Sequence, residues 1–179
     1  MLKEIVFSGF GGQGVLTAGK LLMYAAYKSG LKVSWFPSYG NEMRGGSANC
    51  NVIISDERIS SPYADHPDIL VALNGPALER FMVTMKPGAQ LFWNSSLIDS
   101  GTKLRADVEA FGAPVTDVAV SLGNERAANI CMLGFVCRHT ELFERERFES
   151  AMCEYFEGSG KGKNNGRNLE AFAAGYNYE

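Results

Sequence analysis

The chain predicts an α/β fold: a Rossmann-like, open and mostly parallel sheet with helices on both faces, in a single domain. Three observations lead there. An apolar stretch at 3–8 runs into a glycine-rich turn and then a helical pattern. Asp68-Ile69-Leu70-Val71-Ala72-Leu73 is a continuous apolar run, as expected of a strand buried on both faces. Strand-like and helical segments then alternate along 179 residues, a length that suits one domain.

The elements follow in order. After the first strand, Val15, Ala18, Leu22 and Ala25 keep helical spacing until Ser29-Gly30 stops them. Leu31 to Phe36 reads as a second strand closed by Pro37, which completes a βαβ opening. A polar loop spans 38–48, and Asn49 to Ser55 alternates towards a strand. Beyond the run at 68–73, Pro76 suits the first turn of a helix from Ala77 to Met85. Ala89 to Trp93 is another buried strand. Residues 103–121 hold a helix or a strand pair, with Pro114 to Ala119 read as strand. Helices are expected over Asn124–Arg138 and Glu144–Phe156. A flexible polar hinge at 158–166 then precedes a short terminal helix, Arg167–Gly175. One domain therefore covers 1–179.

Composition narrows the function. Seventeen Lys and Arg against twenty Asp and Glu give a net charge of −3, with no basic cluster. Nucleic acid and anionic membrane are poor partners on those grounds. No apolar run approaches the roughly 18 residues of a membrane span, and no signal-peptide pattern opens the chain, so a cytoplasmic location is expected. Cys50, Cys131, Cys137 and Cys153 form no CxxC pair and only His66 and His139 are present, so no metal centre is expected on this chain. His66, in a loop before a strand, reads as a surface or capping residue. His139 closes a helix, where the dipole would favour a partly cationic ring.

Two loops could carry binding. Gly9-Phe10-Gly11-Gly12-Gln13-Gly14 satisfies G-x-G-x-x-G between strand and helix, where glycines let the backbone approach a pyrophosphate at a helix N-terminus. A dinucleotide site also wants an acid at the end of the second strand. Val33-Ser34-Trp35-Phe36-Pro37 supplies none before Glu42. The glycines serve equally to let a helix, or another protein chain, pack closely. The loop at 38–47 sets Tyr39, Glu42 and Arg44 among glycines ahead of Gly45, Gly46 and Ser47. Arg44 could take a carboxylate or phosphate with Glu42 orienting it, or the two could brace the turn. Asn94, Ser95 and Ser96 follow a strand's carboxyl end, the ligand side of such sheets.

Gly11-Gly12-Gln13-Gly14-Val15 together with Ser38-Tyr39-Gly40-Asn41-Glu42-Met43-Arg44-Gly45-Gly46 resembles the gamma subunit of the 2-oxoacid:ferredoxin oxidoreductases. Matches continue in order through Ile59-Ser60-Ser61-Pro62, the run ending at Asn74, Lys86-Pro87-Gly88, Asn94-Ser95-Ser96, Asn129 with Leu133-Gly134, and Asn168 to Gly175. One departure is Gly75 between Asn74 and Pro76, where the family runs asparagine to proline directly. The resemblance implies a subunit of a complex that decarboxylates a 2-oxoacid oxidatively to an acyl-coenzyme A and reduces ferredoxin. It implies alpha, beta and ferredoxin-like delta partners, with thiamine diphosphate, Mg2+ and [4Fe-4S] clusters held mainly on those other subunits. The glycine loop, Tyr39 to Ser47, Asn74 and 94–96 would then line a coenzyme A or subunit-docking surface, with no catalytic residue here. Among oxoacids 2-oxoglutarate is favoured over pyruvate or 2-oxoisovalerate. The small subunit of indolepyruvate ferredoxin oxidoreductase and a free-standing nucleotide-binding module remain as alternatives.

Overall fold

The computed structural model describes residues 1–39 and 46–179, with Tyr39 described by its backbone alone. Strand β1 (Leu2–Phe10) leads through the glycine turn into helix α1 (Val15–Lys28). Strands β2 (Lys32–Tyr39) and β3 (Ser47–Ser55) follow as an antiparallel pair, with Tyr39 opposite Ala48. Then come β4 (Ile69–Ala72), α2 (Gly75–Met82), β5 (Gln90–Asn94), β6 (Glu109–Ala113), α3 (Val115–Ser121), α4 (Ala128–Thr140), α5 (Arg145–Gly158) and α6 (Asn165–Tyr176).

The six described strands form one sheet in the order β2-β3-β1-β4-β5-β6. From β1 to β6 all neighbours are parallel, while β3 is antiparallel to both of its neighbours. The opening strand–helix–strand unit is therefore present with a modification. β2 runs parallel to β1, but β3 lies between them. Pro37 does not close β2, which continues to Tyr39; β2 is an edge strand, where a residue without an N–H is tolerated.

The two faces of the sheet are covered unequally. Ile5, Phe7, Val52, Ile54, Val71 and Phe92 share a core with α1, α3, α4, α5 and α6. The alternate residues Val6, Ile53, Leu70 and Leu91 meet α2 and the loop residues Ala64 and Ile98. Each fully buried Phe, Leu or Ile here contributes about 1.5–3 kcal/mol. Helices α4 and α6 touch backbone to backbone, because a Cβ on Gly134 or Gly175 would overlap a carbonyl of the other helix.

Two elements depart from expectation. The stretch Pro114–Ala119 is helix, not strand: β6 ends at Ala113, Pro114 caps α3, and Val115 and Ala119, four apart, are both buried. Valine's preference for strands yields to that spacing. Between α5 and α6, residues 158–166 hold a left-handed turn at Gly160 and a 3-10 helix, Gly162–Asn164; α6 begins at Asn165 rather than Arg167. No helix among the described residues is long and apolar enough to cross a membrane.

Candidate functional site

Because β1, β4 and β5 are parallel, the loops after Phe10, Ala72 and Asn94 emerge on one edge of the sheet. Strand β2 ends and β3 begins at the same edge, and Gly11 N donates to Gly46 O at 2.9 Å. Helix α1 covers one face and α2 the other, so the chain switches direction between β1 and β4. That crevice is where open α/β sheets bind ligands.

Gln13 fills the crevice. Its Oε1 accepts from Phe10 N at 2.6 Å and from Asn74 Nδ2 at 2.9 Å, while its Nε2 donates to Leu73 O at 3.2 Å. Gly9 is required behind it, since a Cβ there would lie 2.6 Å from the Gln13 oxygen. Asn74 caps α2 by accepting from Ala77 N at 2.9 Å, with Gly75 and Pro76 in the first turn. Asn94 Nδ2 donates to Thr116 Oγ1 at 2.9 Å and to Leu73 O at 3.4 Å, and its Oδ1 accepts from Ser96 N at 3.3 Å. Ser96 Oγ accepts from Asp117 N at 3.1 Å, and Ser95 N donates to Ala113 O at 3.0 Å. Asn74 and Asn94 are both buried. Buried amides cost free energy unless paired, and here each pairing fastens one edge loop to the next. Gln13, Asn74, Asn94, Ser95 and Ser96 are thus brought together as the frame of the site.

Beside the frame lies the glycine loop. Gly12 (φ 101) and Gly14 (φ 73) adopt left-handed backbone, and no described residue lies within 4 Å of where a Gly12 side chain would start. Among the described residues no side chain caps α1, and no acid sits in its first turn. Its leading amides meet no side-chain acceptor among the described residues, and the helix dipole there favours an anion.

A residue outside the expected set completes the edge. Asn129, in the first turn of α4, donates from Nδ2 to Gly14 O at 3.1 Å, across 115 positions of sequence. Its Oδ1 is enclosed and has no partner among the described residues. Only a polar residue on an otherwise apolar helix face hinted at it. Thr116, also outside the expected set, lies two residues after the Pro114 cap. Ser47 lies in β3 opposite Phe10, and Tyr39 ends β2. Glu42, Arg44 and Gly45 lie outside the described residues.

The sheet order bears on the ligand class. A dinucleotide fold sets the second strand beside the first so that an acid at its end reaches the ribose. Here β3 displaces β2 by one further strand spacing, about 4.8 Å, and β2 ends in Pro37-Ser38-Tyr39.

The cysteines and histidines sit away from the frame. Cys50, behind α1, donates to Val15 O and is pushed up to about 12 by burial. Burial raises Cys131 to about 11 and also raises Cys137 and Cys153, so the thiols are inert. His66 is exposed, its Nδ1 3.1 Å from Thr84 O. His139 overturns the expectation of a partly cationic ring. It packs 4.6 Å from both Phe111 and Phe135, and burial, aided by Arg138, lowers its pKa. Desolvation outweighs the dipole.

Comparison with known proteins follows the same outline. The family described as pyruvate ferredoxin/flavodoxin oxidoreductase matches residues 4–178. The ketoisovalerate oxidoreductase subunit VorA of Methanothermobacter marburgensis is 39% identical over 173 residues, 96% of this chain but 35% of that relative. The chain thus spans about a third of the length of such relatives. The 2-oxoglutarate synthase subunit KorC of Methanocaldococcus jannaschii is 36% identical over 178 residues, 98% of this chain and 93% of that one. Among solved structures, a keto/oxoacid ferredoxin oxidoreductase gamma subunit from Geobacter sulfurreducens superposes with a TM-score of 0.79 at 30% identity, covering 97% of this chain and 96% of that one. The 2-oxoglutarate:ferredoxin oxidoreductase of Magnetococcus marinus, solved with 2-oxoglutarate, coenzyme A and succinyl-CoA bound, gives 0.86 at 26% identity, covering 97% of this chain and 30% of that one.

Proposed function

Since the chain belongs to the pyruvate ferredoxin/flavodoxin oxidoreductase family, we propose that it is the gamma subunit of a cytoplasmic, multi-subunit 2-oxoacid:ferredoxin oxidoreductase. The complex would convert a 2-oxoacid and coenzyme A to an acyl-CoA and CO2, releasing one proton and passing two electrons singly to two ferredoxins. Alpha, beta and ferredoxin-like delta subunits are the partners this reading requires. We favour 2-oxoglutarate because, among relatives matched over nearly the full length of both chains, KorC is 36% identical and the pyruvate/ketoisovalerate gamma subunit of Thermococcus kodakarensis 31%.

The observation that carries the reading is the N-terminus of α1, uncapped among the described residues, behind the glycine loop and framed by the amides of Gln13, Asn74 and Asn94. Such a surface suits the binding and orienting of a ligand. Backbone amides of the glycine loop and the first turn of α1 would hold a phosphate of coenzyme A. Among the described residues no three His, Cys, Asp or Glu side chains gather as a metal site would need. We therefore assign thiamine diphosphate with Mg2+, and the iron–sulfur clusters, to the other subunits. A cytoplasmic location fits four cysteines that are all unpaired.

The test is Gln13→Ala in the assembled enzyme. Losing the tie between the two loops should cost the chain about 1–3 kcal/mol and raise KM for coenzyme A while kcat holds. An unchanged KM, with the stability loss present, would remove coenzyme A from this edge.

A further inference from the structure

A second cleft, of about 280 Å³, lies where α4 and α6 begin. Its lining includes Asn124 and Arg126 from the 3-10 turn before α4, Ile130 within α4, and Asn164, Arg167 and Asn168 at the start of α6. None of these belongs to the edge loops. On α4, Asn129 turns to Gly14 while its neighbour Ile130, with Arg126 of the preceding 3-10 turn, lines this cleft.

Its chemistry is cationic and unsatisfied. The lining contains no carboxylate, and neither arginine takes part in an ion pair among the described residues. Arg167 is held in place by donating from Nη2 to Gly123 O at 2.6 Å. Asn168 is 8% exposed. Its side chain makes no hydrogen bond among the described residues, and it is not one of the fully enclosed orphan groups, which belong to Trp35, Asn129, His139 and Asn165. Asn168 lines the cleft, where its amide is placed to pair with a ligand. Helices of 13 and 12 residues direct their positive ends to the same place.

We propose that this cleft binds a small phosphate-bearing molecule, separate from any ligand of the glycine loop. Arg126 and Arg167 line it from different elements, together with Asn168. Donors spread in that way suit a tetrahedral, doubly charged phosphate better than a planar carboxylate.

Titration of the 15N-labelled full chain with inorganic phosphate, against chloride at equal ionic strength, tests the site. Saturable amide shifts confined to 123–130 and 162–168 are expected. Affinity should fall about tenfold in Arg126→Gln and in Arg167→Gln. Asn168→Asp keeps the shape, adds a repelling charge and should abolish binding, while Arg147→Gln on the exposed face of α5 should not change it. Shifts scattered over the surface, or equal loss in Arg147→Gln, would overturn the proposal. So would a silent phosphate titration in which the two arginine variants instead weaken association with partner subunits.

Discussion

Gln13 and His139 show side chains whose roles depend on surroundings, not on type. Gln13 sits in a motif usually read for its glycines, yet its own amide joins the β1 and β4 loops through three hydrogen bonds. His139 stands at a helix end that would favour a charge, but three aromatic rings enclose it and its Nε2 has no partner among the described residues. Its pKa in the folded chain lies below the ordinary 6.5. Below pH 6.5 the unfolded chain therefore binds a proton that the folded chain resists, and stability falls as the pH falls through the folded value. Thermal unfolding across that range should show a shallower acid-side decline in His139→Phe than in the parent. Parallel declines in the two proteins would mean that the ring titrates normally.

At the scale of elements, the packing of α4 on α6 decides how tightly the helical layer closes. Gly134 and Gly175 are where the backbones meet. Gly134→Ala should cost about 1–3 kcal/mol or more by forcing the helices apart. Gly166→Ala, at an α6 position with nothing within 4 Å of its Cβ, should be neutral or stabilising by up to about 1 kcal/mol. Denaturant melts of the pair separate a contact effect from a propensity effect; a Gly134→Ala variant as stable as Gly166→Ala would refute the packing account. The elements themselves were mostly legible, because β4, β5 and α1 carry their burial as local periodicity. The Val-rich α3 was not, since strand propensity and helical spacing conflict within its seven residues. Nor was the place of β3 between β1 and β2, because alternation marks a strand and says nothing of its neighbours.

For the whole molecule, the sheet has two unlike edges. At one, Lys86 joins Glu4 at 2.8 Å and Asp68 at 2.9 Å, an ion-paired clamp between strands. At the other lies the amide frame with its glycine loop. The frame was legible as separate segments, Gln13, Asn74 and 94–96, because each follows a strand's end. Its completion by Asn129 was not, because that contact spans 115 residues and no local pattern reports it. The most direct measurement is anaerobic isolation of the tagged chain from its own cells with mass identification of what accompanies it. Stoichiometric recovery of thiamine-diphosphate-binding and iron–sulfur subunits, with coenzyme A-dependent 2-oxoacid oxidation in the same fraction, is expected. Recovery of the chain alone, carrying a bound nucleotide, would contradict the gamma-subunit assignment and favour a free-standing binding module.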